Sequence, residues 1–233
     1  RRLDGKLIFM INLYRGVRTN RLTQAFGYNL AIAKLNVDGT PVRPFKISTI
    51  IAGALPPAGW ALFYKFLGML GHNGRDWATY FSEPDYFCAT DGNVNPIEGT
   101  CHTHIDADGG KGVDVVFQDS DTGDWWKIRS WHLLSQAVYD GQKIMSGALI
   151  GFCDSTGASS GNHDHEGLKP LLSANPEDKK YPANGYTGAV DPAMQLTVRD
   201  YQQSSFILDI LNLKQQFTLL QQVYRLLAIL KGR

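Results

Sequence analysis

The sequence predicts a mainly β protein, built on an antiparallel sheet and followed by a C-terminal α-helix. The 233-residue chain is 43% hydrophobic and 11% aromatic, and it contains 24 Gly. Aromatic side chains pack well on pleated sheets, and Gly serves the turns between strands. Residues 202–230, by contrast, contain neither Gly nor Pro. We therefore expect one sheet domain over residues 1–200, with its core at 22–192, and a separate helix over 201–233.

The N-terminal part consists of short apolar segments separated by turn signals. Residues 7–14 (LIFMINLY) form an apolar run that predicts a buried strand. Residues 22–28 and 31–37 predict a loop and a strand, ended by the Gly-Thr-Pro turn at 39–41. Residues 60–70 (WALFYKFLGML) are consistent with either a short helix or an aromatic-rich loop, because their periodicity does not decide.

The central part predicts two β-hairpins. The sequence Asp-Gly-Asn at 91–93 is a turn signal between residues 86–90 and 94–98. Residues 112–118 (GVDVVFQ) and 125–134 (WWKIRSWHLL) alternate in polarity on either side of a second turn. This alternation is typical of half-buried strands and predicts the second hairpin.

Two segments predict loops. Residues 99–111 (GTCHTHIDADGGK) are polar and rich in Gly and Asp. Residues 168–192 are rich in Pro, Asn and Gly and show no clear periodicity. We expect the second segment to be an ordered loop that returns around the body of the domain.

The C-terminal segment predicts an amphipathic helix with a coiled-coil seam. Seven apolar residues recur at alternating spacings of four and three: Phe206, Ile210, Leu213, Phe217, Leu220, Tyr224 and Leu227. A second apolar stripe widens this face: Leu219, Val223, Leu226 and Leu230. A helix this apolar needs a partner, so we expect it to form homo-oligomers, to dock on another protein or to pack on its own domain.

Composition excludes several classes of function. The net charge is +1 and the basic residues are scattered, which gives no footprint for nucleic acid or an anionic membrane. No run reaches the roughly 18 apolar residues of a membrane span. The N-terminus has neither a secretory pattern nor an initiator Met, as is typical of a processed chain or a fragment. Cys88, Cys101 and Cys153 lack CxxC spacing, which leaves either a Cys88–Cys101 disulfide or three buried thiols.

The histidines indicate a metal centre. All six lie in one part of the chain: His72, His102, His104, His132, His163 and His165. His163 and His165 flank one residue, so on a strand both imidazoles point to the same side. His72 and Asp76 are spaced i, i+4, which aligns them on one face of either a helix or a strand. Two His and one Asp leave a fourth tetrahedral position for water, which favours catalytic zinc.

Taken in order, these motifs resemble the lysostaphin/LytM-type zinc metallopeptidases, the M23 family. The resemblance rests mainly on GHNGRD at 71–76, WHL at 131–133 and STGASSGNHDH at 155–165. It extends to QAFG at 24–27, CATDGNV at 88–94, GVDVVF at 112–117, GALIGFCDSTG at 147–157 and the ending NGYTGAVDP at 184–192. The similarity therefore covers about residues 22–166, and most strongly the segments that carry the histidines.

The resemblance implies a role for each of five side chains. His72, Asp76 and His165 would be the ligands of one Zn²⁺ per chain, and His132 and His163 the catalytic pair. It also implies an antiparallel sheet that bears a shallow groove. Zinc supplies a hydroxide near neutral pH, while one imidazole takes the proton of the water and a second stabilises the oxyanion or donates to the leaving amine.

The chain departs from the family pattern beside two of the ligands. Arg75 stands where an aliphatic residue usually precedes the ligand Asp, and Glu166 where an aromatic or aliphatic residue usually follows the second His. On a strand Arg75 points away from Asp76, so we expect the ligand to be retained. We expect the insertion at residues 39–68 to wall the substrate groove.

The pair His102 and His104 is an alternative metal site. It lies in the segment that predicts a loop, and the family pattern does not use it. We expect this pair, like Asp106 and Asp108, to belong to a solvated loop or to the rim of the groove.

The expected function is zinc-dependent endopeptidase action on the peptide stems or crossbridges of bacterial peptidoglycan. The expected location is the cell wall, outside the cell or in the periplasm, or a virion. Two alternatives remain: a tail-tip or tail-hub protein that carries this peptidase, and a non-catalytic cell-wall-binding or regulatory protein of the same fold.

Overall fold

The computed structural model describes residues 2–3, 6–7, 11–19, 21–27, 64, 68–92, 95–191 and 197–199. The predictions for residues 31–60, including most of the expected groove wall, lie outside these residues. The predicted helix at 201–233 also lies outside them.

The described residues form an almost entirely β structure. Its strands are β1 (Arg2–Leu3), β2 (Lys6–Leu7), β3 (Asn12–Tyr14), β4 (Leu22–Gln24), β5 (Arg75–Ala78), β6 (Pro84–Tyr86), β7 (Ala89–Thr90), β8 (Glu98–Asp106), β9 (Gly110–Gln118), β10 (Trp125–Gln136), β11 (Lys143–Met145), β12 (Leu149–Cys153), β13 (His163–Leu171) and β14 (Thr197–Arg199). This confirms the predicted mainly β class with antiparallel pairing. In the described part of the chain, no helix is long and apolar enough to cross a membrane.

One nine-stranded sheet dominates the structure. Its strand order is β11-β8-β9-β10-β13-β5-β4, and β12 pairs with both β10 and β6. All pairs in this sheet are antiparallel. A three-stranded sheet has the order β14-β3-β7, and β1 pairs with β2.

The register of the central strands separates two faces. Ile128 of β10 lies opposite Leu168 of β13 and Val115 of β9, and all three are buried in the main apolar core. The neighbouring residue Arg129 lies opposite Gly167 and therefore on the other face. This second face carries the polar side chains of a groove of about 690 Å³.

The second predicted hairpin is confirmed. Strand β9 pairs with β10 from Gln118↔Trp125 to Val113↔Ser130, and a bulge then shifts the register before Leu133. The apolar and polar alternation of both segments matches the two faces of the sheet.

The predicted loop at residues 99–111 is wrong. Residues 98–106 form β8, which pairs with β9 along its whole length, from Gly99↔Phe117 to Asp106↔Gly110. Polar residues are compatible with this strand because β9 and β11 satisfy its main-chain groups while its side chains lie partly in solvent. His102 and His104 therefore lie on a strand.

The first predicted hairpin is shorter than expected. The turn is present, because the amide of Asp91 donates to the carbonyl of Asn95 at 3.0 Å. Beyond it, however, Thr90 and Pro96 form only an isolated antiparallel bridge. Strand β7 pairs with β3 on its other edge.

Other expectations at the two ends of the domain hold in part. The buried strand predicted at residues 7–14 is observed at Asn12–Tyr14. The ordered loop predicted at residues 168–192 begins later than expected, because β13 continues to Leu171. Turns follow this strand. All three cysteines are buried free thiols.

Candidate functional site

Three potential metal ligands converge at one end of the groove. Asp76 of β5 lies directly opposite His165 of β13 in the register, so both side chains leave the sheet on the same face. His72 precedes β5 and forms a bridge with Gly27. His72 Nε2 lies 3.0 Å from His165 Nδ1 and 3.1 Å from Asp76 Oδ1, and the latter two atoms are 3.1 Å apart.

The main chain fixes the orientation of His72. Its Nδ1 lies 3.1 Å from the carbonyl oxygen of Ala25, which can only accept a hydrogen bond, so Nδ1 carries the proton. Nε2 of a neutral ring therefore presents its lone pair to Asp76 and His165. An outer hydrogen bond of this kind is the usual way to orient a metal-binding imidazole.

The donor set fits a zinc ion. In neutral rings, His72 Nε2, His165 Nδ1 and Asp76 Oδ1 share at most one proton, and such a triangle of lone pairs is stabilised by a cation. The spacings of 3.0–3.1 Å are close to the roughly 3.3 Å expected between tetrahedral ligands at zinc distances. His165 Nε2 is also buried without a hydrogen-bond partner. Among the described residues, these three form the only cluster of His, Cys, Asp or Glu suited to a metal.

Burial and mutual contacts set the ionisation of this cluster. Burial lowers the pKa of His165 to about 3, which leaves its ring neutral and able to ligate. Burial opposes ionisation of Asp76, but His72 and His165 outweigh it and hold the pKa of this carboxyl well below its usual value. At neutral pH the Asp76 carboxylate is therefore ionised and lies beside the neutral ring of His165.

The two other predicted histidines lie beside the cluster. The rings of His132 and His163 are 4.5 Å apart between centroids, and His163 Nε2 lies 3.7 Å from Asp76 Oδ1. Each Nδ1 lies 2.7 Å from a carbonyl oxygen, that of Thr156 for His132 and that of Gly161 for His163. In both neutral rings Nδ1 is therefore the donor and Nε2 carries the lone pair.

Strand irregularity and a Gly-rich loop position His132. The bulge in β10 gives His132 a φ of 64°, which is uncommon for a residue other than Gly. The amides of Asp154 and Thr156 donate to the His132 carbonyl, at 3.1 and 3.5 Å. A Cβ on Gly110 would lie 2.4 Å from Thr156, so the loop packs closely on the tip of the β8–β9 hairpin. The predicted Gly-Ser loop thus supports both imidazoles and forms a groove edge.

Sequence reasoning missed several groove residues. Trp131 stacks on His165, with ring centroids 5.0 Å apart, and the Arg129 guanidinium lies 4.6 Å above the Trp131 ring. Lys169 and Lys179 also line the groove. The two-residue alternation of β10 could have placed Arg129 and Trp131 on one face, but only the register with β13 sets them beside His165.

The two departures from the family pattern lie on the opposite face of the sheet. Arg75 Nη2 donates to Asp191 at 3.1 Å, away from Asp76 as expected. Glu166 is buried and accepts a hydrogen bond of 3.0 Å from Trp77 Nε1. Neither side chain obstructs the groove.

The pair His102 and His104 does not form a comparable cluster. His102 Nδ1 lies 3.5 Å from Asp140, an exposed carboxylate. His104 lies between Asp106, at 3.4 Å, and Asp114, at 3.5 Å, and uses a different ring nitrogen towards each. No single point collects ligands from both imidazoles.

No protein-family model matches the sequence, and no curated protein matches it. Among solved structures, the chain is similar to the catalytic domain of the antimicrobial peptidase lysostaphin from Staphylococcus simulans, with 20% identity over 54% of this chain and 78% of that chain and a TM-score of 0.37.

Two further solved structures are similar in the same way. One is a mutant catalytic domain of the prophage-encoded M23 protein EnpA from Enterococcus faecalis, with 19% identity over 48% of this chain and 76% of that chain and a TM-score of 0.36. The other is LytU, with 17% identity over 78% of this chain and 92% of that chain and a TM-score of 0.39. Because identities and TM-scores are low, the chemistry assigned to the groove rests on its own side chains.

Proposed function

We propose that this protein is a zinc-dependent endopeptidase that hydrolyses the peptide stems or crossbridges of bacterial peptidoglycan. The observation that carries the proposal is the convergence of His72, Asp76 and His165, with ligand atoms 3.0–3.1 Å apart, beside a second pair of imidazoles. Peptidoglycan as substrate, and the cell wall as location, rest on the resemblance of the motifs to the M23 family.

The five side chains have separate tasks in this proposal. His72 Nε2, Asp76 Oδ1 and His165 Nδ1 would hold one zinc ion. Bound zinc supplies a Lewis acid that polarises the scissile carbonyl and lowers the pKa of water to about 7. The remaining steps are proton transfers, which fall to His132 and His163.

His132 is suited to accept the proton of the attacking water. Its Nδ1–H is held by the Thr156 carbonyl, which leaves Nε2 as the basic atom. Burial and the neighbouring His163 lower the pKa of His132, so the ring is neutral and ready to accept at pH 7. In this scheme His163, held at Gly161, is the imidazole that assists the oxyanion or the leaving amine.

The shape of the groove is compatible with an extended peptide. It runs along the face of β10 and β13, and its edge is the Gly-Ser loop that includes Ala158, Ser159 and Gly161. Gly and Ser leave main-chain groups accessible, and an extended peptide can pair with such groups.

The test is hydrolysis of purified cell walls, measured by mass spectrometry of the released peptides. Chelation should abolish activity, and added zinc should restore it. His132→Ala and His163→Ala should each lower kcat by about 10²- to 10⁴-fold, the usual contribution of a positioned acid or base.

The matched control is His102→Ala, since His102 lies on β8 with its Nδ1 3.5 Å from Asp140 and does not line the groove. This variant should retain full activity and zinc content. Full activity in His165→Ala would contradict the proposal, because His165 belongs to the one cluster among the described residues that is suited to a metal.

A further inference from the structure

Beyond the metal centre, the floor of the groove is strongly basic. In the register, Trp131 lies opposite His165, Arg129 opposite Gly167 and Lys127 opposite Lys169. Because residues two apart on a strand share a face, Lys127 lies on the same side of β10 as Arg129, and Arg129 and Lys169 line the groove itself. Lys179, from the segment after β13, lines the same end.

The carboxylates at this end of the groove do not neutralise its cations. Asp114 is buried and accepts from Arg129, with Nε–Oδ1 at 2.6 Å and Nη2–Oδ2 at 2.8 Å, and it also pairs with Lys127 at 3.0 Å. Glu177 lies 3.8 Å from Lys127 and 3.4 Å from Lys179, but its side chain is 70% exposed.

Asp106, on the facing rim of the groove, does not neutralise the remaining cations. It lies 3.4 Å from His104, and its side chain is 46% exposed. This exposed carboxylate attracts Arg129, but water screens the interaction more than it would for a buried group. Among the described residues, Asp114 is therefore the one buried carboxylate shared by this group of cations.

Lys169 is the most unusual member of the group. Lys169 is only 2% exposed. Among the described residues, its Nζ makes one hydrogen bond, to the Thr187 hydroxyl at 3.2 Å. Burial, with Arg129 and Lys127 nearby, holds the pKa of this amine well below its usual value. This environment disfavours the charged form of the amine, and the neutral Thr187 hydroxyl does not offset the effect, whereas a carboxylate beside the amine would favour the ammonium.

Arg129 also keeps hydrogen-bonding capacity for a ligand. Its Nε and Nη2 are occupied by Asp114, whereas Nη1 makes no hydrogen bond to the described residues. The guanidinium is held in place by Asp114 on one side and by the Trp131 ring on the other. It is thus preorganised, which lowers the entropic cost of binding.

We propose that Arg129, Lys169 and Lys179 form a subsite that binds a carboxylate group of the peptide substrate. This inference rests on the proposed function, and it specifies a substrate with a free carboxylate beside the cleaved segment. Glycine at position 167 leaves room for the peptide between the metal centre and the subsite: a Cβ there would have its nearest contacts at 3.6 Å, namely Arg129 and Asn73.

The strand sets the distance between the cleaved bond and this carboxylate. His165 and Lys169 lie on the same strand, four positions apart. At about 3.3 Å per residue this separation is roughly 13 Å, or three to four residues of an extended peptide. The subsite therefore selects peptides whose carboxylate lies at that separation from the scissile bond.

The test compares native peptidoglycan with the same material after its carboxylates are converted to carboxamides. For the zinc-loaded protein, amidation should raise KM on cell walls and the dissociation constant for soluble uncrosslinked muropeptides by about tenfold, as expected for loss of a charge-assisted hydrogen bond. Lys169→Met should bind the native material about tenfold more weakly and be insensitive to amidation, while kcat changes little.

Two further variants control for misfolding and for general effects of removing a positive charge. If Lys169→Met does not fold, Lys179→Met carries the same expectation, because that side chain is 27% exposed and tolerates substitution. Lys143→Met is the matched control, since Lys143 pairs with Glu98 on β8, outside the groove, and it should respond to amidation as the wild type does.

Equal binding of native and amidated muropeptides by the wild type would overturn the subsite. So would an equal loss of affinity for both materials in Lys169→Met, since that result indicates a structural role. Absence of cleavage of either wall refutes the proposed peptidase instead, because binding of the soluble muropeptides still decides the subsite.

Discussion

At the scale of single residues, Gly74 packs closely against His165, a proposed metal ligand. A Cβ at this position would lie 2.6 Å from His165 Nε2 and 2.6 Å from the Glu166 carbonyl oxygen. Such contacts are too short for a methyl group, and the carbonyl belongs to a central strand that cannot move freely. The imidazole of His165 and the main chain at residue 74 would therefore both have to shift.

We predict that Gly74→Ala weakens zinc binding by about 10- to 100-fold, comparable to the loss of an outer contact of a ligand. Because part of the clash falls on the main chain of β13, the variant should also lose stability, so circular dichroism must first show that it is folded under the conditions of the measurement. Competition with a chromogenic chelator measures the affinity. Gly161→Ala is the control, since a Cβ there meets nothing within 4 Å, and unchanged affinity in Gly74→Ala would contradict the steric argument.

At the scale of strands, β6, β10 and β13 bury carboxyl groups behind the metal centre. Ser130 of β10 contacts Asp85 of β6 and, at 2.8 Å, Asp164 of β13. A hydroxyl group has one proton, so it cannot donate to both carboxylates. One of the two carboxyl groups must therefore carry a proton and donate to Ser130 Oγ.

The electrostatics of this face agree with that proton count. Burial raises the pKa of Asp85 to about 7, and Glu166 adds to the effect. Burial and Asp85 likewise raise the pKa of Asp164. A raised carboxyl pKa means that the folded state binds the proton more tightly than the unfolded state. The contribution of Asp85 to stability is thus full at low pH and is lost as the pH rises from about 4 through 7.

Replacing Asp85 with Asn should therefore stabilise the protein at alkaline pH. Asn resembles the protonated acid and does not ionise, so Asp85→Asn should exceed the wild type by on the order of 1 to 3 kcal/mol at pH 8. The difference should shrink towards zero near pH 4.5. Urea unfolding at several pH values measures it.

The control for this comparison is Asp124→Asn. Asp124 is half-exposed and lies 3.7 Å from Lys180, so its replacement should change stability by less than about 1 kcal/mol at any pH. A difference between Asp85→Asn and the wild type that does not vary with pH would contradict the shared proton.

At the scale of the whole molecule, a strand late in the chain pairs with a strand near its start. Strand β14, near the C-terminus, pairs in parallel with β3, near the N-terminus, through Thr197↔Asn12 to Arg199↔Tyr14. The last described strand, which ends at Arg199, therefore lies beside β3, and residues 201–233 lie outside the described part of the chain. Its apolar seam stays a prediction from the sequence, and we propose that it mediates self-association or docking.

We predict that the full chain forms oligomers and that a chain ending at residue 201 is monomeric. Sedimentation velocity over a range of concentrations measures the mass. Leu213→Asp with Leu220→Asp should have the same effect as truncation, because both residues lie on the predicted seam. Gln215→Asp lies off the seam and should leave the mass unchanged; a monomeric full chain would contradict self-association.

Most residues of the candidate site could be predicted from the sequence, but their relative positions could not. The spacing of His163 and His165 predicted one strand face, and β13 has both side chains on that face. His72 and Asp76 were predicted to share a face from local spacing alone. The convergence of these two pairs depends on the β5–β13 register, which no local pattern encodes.

The prediction from local sequence patterns was wrong where main-chain pairing stabilises a strand that its amino-acid composition does not favour. Residues 99–111 were predicted to be a loop because they are polar and rich in Gly, yet β8 is one of the longest strands. Main-chain hydrogen bonds to β9 and β11 stabilise it regardless of its side chains. Propensity measures the fit of a side chain to a half-buried surface, and a strand near the sheet edge needs less of that fit.

By itself, the sequence determined the mainly β class, the strands with strict alternation and the side chains capable of binding a metal. These properties follow from residue chemistry and from periods of two residues, which are local. Only the tertiary structure decided that Arg129, Lys169 and Lys179 lie at one end of the groove and that Asp85 and Asp164 share a hydroxyl group behind it. Those juxtapositions depend on strand order and register, because they join residues distant in the chain through burial and hydrogen bonding that form only when the sheet is complete.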